Sequence, residues 1–130
     1  MPAPVPNYVH RARLARQDEI PARATPVHDG DTFYLRIDLG TYAAARIDPV
    51  VRFRLLDIDT YELNDPSGKG VEARNFTENQ LATRRVTVAT EKPVTTSQGE
   101  TVGRVLGAVW VDDDKLSDLL RAAGYEKPLV

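Results

Sequence analysis

Asp29-Gly30, followed by the run from Thr32 to Leu39, restricts the fold of this chain more than any other stretch. A two-residue hairpin turn needs backbone conformations that Asp-Gly adopts cheaply, so the pair is a strong turn signal. Beyond it Phe33, Leu35, Ile37 and Leu39 alternate with Thr32, Tyr34, Arg36 and Asp38. A period of two puts the first set on one face of a strand and the second set on the other. A second strand reads over 50–58, with Val51, Phe53 and Leu55 on one face and Arg54 on the opposite one. Two adjacent strands of this kind must bury an apolar face against something, so the fold is built around a sheet.

The rest of the chain supplies shorter elements. Tyr8 to Arg16 alternates loosely (Val9, Ala12, Leu14) and fits a half-buried first strand, while Gln17 to Pro26 reads as a connection. Gly40 to Pro49 reads as a loop, and so does the flexible Asp65-Pro66-Ser67-Gly68-Lys69-Gly70. Val71 to Arg84 is predicted as a helix with a weak stripe of Ala73, Phe76, Gln80 and Leu81. Arg85 to Ala89 is a short strand, Glu91 to Gly99 a loop, and Thr101 to Val111 a strand broken at Gly103. Leu116, Leu119, Leu120 and Ala123 share one helical face, with Asp114 as the expected N-cap and Gly124 as the stop. On pattern alone, a five-stranded Greek-key barrel of the oligonucleotide/oligosaccharide-binding (OB) type is one candidate among several small, mostly β, α+β folds.

Composition sets the bounds. With 130 residues one domain is expected, over 8–130, preceded by an extended proline-rich arm at 1–7. There is no cysteine, which excludes disulfides, thiolate metal sites and a cysteine nucleophile. No apolar run is long enough to span a membrane, and Met1 to Pro6 does not read as a secretory signal, so the expected location is cytoplasmic. The net charge of −2 argues against a broad electrostatic footprint on DNA but leaves room for a small cleft that handles one phosphate.

Such a cleft has an inventory here. Asp31 and Asp59, at a turn and at a strand end, can give oxygen ligands to a divalent cation. Arg54 and Arg104 can fork onto phosphate oxygens, and Gly103 would let the backbone approach closely beside Arg104. Glu62 is the spare carboxylate, able to take a proton from water or to orient it. Each residue alone has an ordinary reading, as a turn aspartate, a solvated arginine or a loop glutamate.

The same residues, in order, resemble the staphylococcal nuclease (thermonuclease) family. That family reads as an Asp-Gly-Asp-Thr turn, an Arg-x-x-x-x-Asp-Thr-Pro-Glu strand end and a Tyr-Gly-Arg; here these stand as Asp31, Arg54, Asp59, Thr60, Glu62 and Arg104. The resemblance runs from about Val27 to Gly124. It raises the OB-type barrel, with a helix after the third strand, to the expected fold. It implies calcium held by Asp31, Asp59 and the Thr60 carbonyl (magnesium or manganese being alternatives), a phosphate clamp of Arg54 and Arg104, and Glu62 as base or water-orienting group. The implied reaction is metal-assisted hydrolysis of DNA or RNA, with little sequence preference, that breaks the bond to the 5′ oxygen.

The pattern also departs from the family. Tyr61 stands for its proline, and Thr101-Val102 for the polar residue and tyrosine before Gly-Arg. The family's third helix has no counterpart after Gly124, which implies a weaker grip on the base. A short tyrosine-containing first strand, Ile37-Asp38-Leu39-Gly40 and Thr90-Glu91-Lys92-Pro93 are similar to compact bacterial and phage members. The alternative function is therefore a non-catalytic binding or assembly module, such as a phage structural component, docking on a protein partner through residues 1–7. His10 and His28 read as non-ligands, Asp57 and Arg52 as solvated, Asp112-Asp113-Asp114 as a solvated turn, and Trp110 as core.

Overall fold

In a computed structural model, residues 8–42, 44–92, 94 and 104–128 are described. The two alternating runs form neighbouring antiparallel strands, β3 (Thr32–Ile37) and β6 (Val50–Leu55), with Phe33 opposite Phe53 and Leu35 opposite Val51. Before them come β1 (Tyr8–Leu14), a 3-10 turn (Gln17–Glu19) and β2 (Val27–Asp29). Between them lies a small hairpin of β4 (Thr41–Tyr42) and β5 (Ala45–Arg46). After them follow α1 (Lys69–Thr83), β7 (Val86–Thr90), β8 (Val105–Val111), β9 (Asp114–Lys115) and α2 (Leu116–Ala122).

Five strands close on themselves. β1 pairs with β7, β7 with β8, β8 with β6, β6 with β3, and β3 returns to β1. Only the β6–β8 pairing is parallel, as its long crossover through α1 and β7 requires. Closure removes the sheet edges and leaves an interior just wide enough for side chains. Phe33, Leu35, Ile37, Val51, Phe53, Leu55, Val88, Val109 and Val111 fill it, each 1% exposed or less. The rings of Phe33 and Phe53 stack at 5.9 Å. Leu81 of α1 and Leu116 and Leu120 of α2 join this core. Each such side chain contributes about 1.5–3 kcal/mol by burial, so the barrel interior dominates stability. Among the described residues no helix is long and apolar enough to cross a membrane.

This is the five-stranded, OB-like barrel with two helices that the sequence leads one to expect, with local corrections. The 40–49 loop contains the β4–β5 hairpin, turned by Ala44 at φ 66°, a conformation that alanine does not advertise. The buried stripe of α1 is Gly70, Ala73, Thr77 and Leu81, whereas Gln80 instead accepts a hydrogen bond from Arg84 at 2.8 Å. Asp114 lies in β9 and does not cap α2; Lys115 precedes the helix without a side-chain cap. Gly124 (φ 86°) does end α2, with Gly124 and Tyr125 donating back to Arg121 and Leu120. Trp110 is on the outer face of β8, half-buried under Lys115, and its neighbours Val109 and Val111 are the core residues. The arm at 1–7, the Thr101-Val102 departure and the Gly103 break lie outside the described residues.

Candidate active site

The carboxylate turn is fixed from two sides. Asp29 and Thr32 pair across the β2–β3 hairpin, and the Asp31 N–H donates to Asp29 Oδ1 at 3.2 Å. The Thr77 hydroxyl of α1 donates to the Gly30 carbonyl at 2.8 Å in a buried contact. A Cβ on Gly30 would sit 2.9 Å from the Thr60 side chain and 3.0 Å from Ala73, so only glycine lets the turn fit between α1 and Thr60. Asp31 emerges from this clamp 5% exposed. Its Oδ1 accepts the Thr32 hydroxyl at 3.0 Å, and its Oδ2 accepts the Thr60 N–H at 3.1 Å.

Arg54 enters from β6, directly opposite Thr32. Its Nη1 donates to the Leu55 carbonyl at 2.7 Å, and its Nη2 lies 3.4 Å from Asp31 Oδ2 and in direct contact with Asp59 Oδ1. One guanidinium therefore spans both carboxylates, although 23 and 5 residues separate it from them in sequence. Asp59 is held through its backbone: Lys127 N–H donates to the Asp59 carbonyl at 2.7 Å, and Tyr61 N–H to the Tyr125 carbonyl at 3.3 Å. Thr60 stands opposite Glu126 between those two bonds. In extended backbone, the N–H and C=O of such a residue leave on the other edge, here the Asp31 side.

Glu62 completes the rim. Its side chain is 70% exposed, with Lys127 Nζ 3.6 Å from Oε1. Its backbone is pinned by α1, where a Cβ on Gly70 would fall 1.7 Å from the Glu62 carbonyl oxygen. The adjacent Lys69 ammonium lies 5.1 Å from the centre of the Tyr61 ring. That contact anchors the residue that replaces the family's proline. Arg104, exposed just before β8, lines the same cleft as Asp31, Arg54, Asp59, Thr60 and Glu62. The cleft measures about 210 Å³, too small for a typical drug-sized ligand but suited to one phosphate group. All six sequence-selected site residues thus meet at one place.

Lys127, His28, Asp29 and Arg52 also line the cleft, and the sequence reading assigned none of them a role there. Lys127 had no local signal, since it arrives by pairing with Asp59 from far along the chain. Burial, and then hydrogen bonding and repulsion from Asp31, push the Asp29 carboxyl up to about 7. Asp57 is turned away from the cleft. It pairs with Lys115 at 3.0 Å and accepts the Ser117 hydroxyl at 2.9 Å, tying the strand end to α2. Asp112 and Asp114 form the exposed turn that was expected, with Arg84 bridging its ends at 2.9 and 2.5 Å.

Among the described residues no group of three or more histidine, aspartate or glutamate side chains converges as a ready metal cage. The donors present are two carboxylates and a backbone carbonyl, all oxygen, beside the buried Thr60 hydroxyl, which has no hydrogen-bond partner. That set fits a hard cation that retains several waters.

A family model described as "staphylococcal nuclease homologue" matches residues 52–127, more than half of the chain. The chain belongs to the staphylococcal nuclease family. None of the curated proteins matches it. The family is one of nucleases that bind nucleic acid. The matched span contains Arg54, Asp59, Thr60, Glu62, Arg104 and Lys127. Asp31 precedes the matched span and is tied to it by the hydrogen bond from the Thr60 N–H.

Proposed function

We propose that the protein is a metal-dependent nuclease that hydrolyses phosphodiester bonds of DNA or RNA. The observation that carries this reading is the convergence of Asp31, Arg54 and Asp59, with the Arg54 guanidinium between the two carboxylates. Arg54 and Arg104 have the shape and charge to grip non-bridging phosphate oxygens bidentately. They stabilise the charge that grows there as a fifth oxygen approaches phosphorus. Glu62, exposed and flanked by Lys127, accepts the proton of the attacking water as its oxygen bonds to phosphorus and the bond to the 5′ oxygen breaks.

Asp31, Asp59 and the Thr60 carbonyl are the residues that would hold the cation, with calcium the first choice and magnesium or manganese as alternatives. When bound, such an ion supplies Lewis-acid polarisation of the phosphate and a more acidic water. Arg54 then exchanges its carboxylate contacts for phosphate.

The test is cleavage of single-stranded and duplex DNA with calcium, with magnesium and with chelator, beside Glu62→Gln. Calcium-dependent cleavage that disappears in the variant is expected. A folded protein that cuts nothing under any metal would sink the catalytic reading and favour a binding module.

A further inference from the structure

Tyr61 stands where the family has a proline, directly before Glu62. A proline there would fix φ, and with it the direction in which the chain carries the glutamate. Tyrosine gives up that restraint but brings a backbone N–H that proline lacks. The N–H is used: it donates to the Tyr125 carbonyl at 3.3 Å. The substitution that loosens the approach to Glu62 therefore also ties that approach to the C-terminal residues.

Those residues are braced. Lys127 N–H donates to the Asp59 carbonyl at 2.7 Å, and Thr60 pairs with Glu126. Arg121 of α2 bridges the two segments, donating to the Asp57 carbonyl at 2.6 Å and to the Glu126 carboxylate at 3.0 Å. Pro128 disfavours helical backbone at the residue before it, which keeps Lys127 extended. The Lys127 side chain thus starts from a fixed point, and its ammonium ends 3.6 Å from Glu62 Oε1. It is the ion partner of Glu62 among the described residues. Asp65 also feels the Lys127 charge, but its carboxylate is taken by Ser67, whose hydroxyl and N–H donate to it at 2.6 and 2.9 Å.

An ion pair this exposed adds little to stability. It can still bias a side chain that would otherwise spread over several rotamers, by a factor of about two to five. We propose that Lys127 is a positioning residue for Glu62, holding its carboxylate at the cleft in place of the direction that a proline at 61 would impose. The inference rests on the nuclease reading for the chemistry of Glu62, though not for the contact between the two side chains. In this role Lys127 acts through the glutamate and touches no reacting atom. A lysine that gripped phosphate directly would act on substrate binding instead.

The test uses the full-length protein. Lys127→Gln keeps the backbone bond to Asp59, so its melting temperature should stay close to that of the parent. On short single-stranded DNA with calcium, kcat is expected to fall about two- to fivefold with KM unchanged, and Lys127→Arg to restore most of the loss. Added to Glu62→Gln, the same substitution should leave the residual rate unchanged, because the two residues act as one unit. A raised KM, a loss that persists in the Glu62→Gln protein, or an unchanged kcat would overturn the proposal. A second readout needs no substrate: deuterium relaxation of the Glu62 Cγ methylene should give a lower order parameter in Lys127→Gln than in the parent. Equal order parameters would overturn the hold on Glu62 whatever the kinetics. A parent that cuts nothing under any metal, yet whose Glu62 loosens in Lys127→Gln, would sink the nuclease reading and leave the positioning of Glu62 by Lys127 standing.

Discussion

Two clusters of opposite charge sit on this barrel, and they are balanced in opposite ways. Around Glu19, one carboxylate receives two guanidinium groups and the Arg16 N–H, and Asp48 takes the remaining end of Arg36. These donors, Arg13 first, hold the Glu19 carboxyl well below the usual carboxylate range. In the cleft the ratio is inverted: one guanidinium, Arg54, contacts two carboxylates, Asp31 and Asp59, while burial and the neighbouring Asp31 push Asp29 up to about 7. The first cluster is saturated and closes the seam between β1 and β3. In the second, one guanidinium is shared between Asp31 and Asp59, an arrangement that leaves carboxylate oxygens for a cation from outside. Both contain an arginine on β3 or β6 and both look like salt bridges; what separates them is that Glu19 receives two guanidinium groups whereas Asp31 and Asp59 share one.

The largest expected effect lies in the cleft. Glu62→Gln should lower cleavage by about a thousandfold, within the range for a lost general base, with an unchanged melting temperature because the side chain is mostly exposed. Equal activity in initial-rate assays would remove Glu62 from the chemistry. Next is Gly70→Ala, which drives a Cβ into the Glu62 carbonyl. It should cost about 1–3 kcal/mol in denaturant unfolding and reduce cleavage as well, since the same overlap displaces Glu62. Glu19→Gln, by contrast, should lower the melting temperature by roughly 5 °C and leave dinucleotide binding in the cleft untouched. If it altered that binding, the two clusters would not be separate.

The smallest effect is the most diagnostic. A carboxyl whose pKa is raised on folding stabilises the fold while protonated, and its contribution is lost as pH rises from about 4 to about 7. A carboxyl whose pKa is lowered, like Glu19, contributes above the ordinary carboxylate range and loses that contribution as pH falls. Melting curves against pH should therefore flatten on the neutral side for Asp29→Asn and on the acid side for Glu19→Gln. The same flattening in both variants would erase the contrast.

What was legible in the sequence follows from what is local. The β3 and β6 strands could be read because Phe33, Leu35, Ile37 and Val51, Phe53, Leu55 keep a strict period of two. The turn could be read because Asp29-Gly30 carries its own geometry. The candidate site residues could be grouped through the family pattern, and the barrel brings that group to one cleft. The β4–β5 hairpin was not, because Ala44 adopts positive φ without a glycine or asparagine to announce it. Glu19 looked like part of a connection, since its partners Arg13 and Arg36 are brought to it only by the β1–β3 pairing. Trp110 was misassigned because its apolar neighbours hid which parity faces inward. Lys127 is the clearest case: nothing near it in sequence says that it will stand beside Glu62.

The pairing of Thr60 with Glu126 has a temporal meaning. During synthesis Asp31, Arg54, Asp59 and Glu62 all leave the ribosome at least 63 residues before Tyr125 and Lys127, whose backbone bonds fix the Asp59–Tyr61 segment. On the nuclease reading, a nascent chain carries the reactive side chains in an unassembled order, and the messenger being translated stays beyond their reach until the fold is nearly whole.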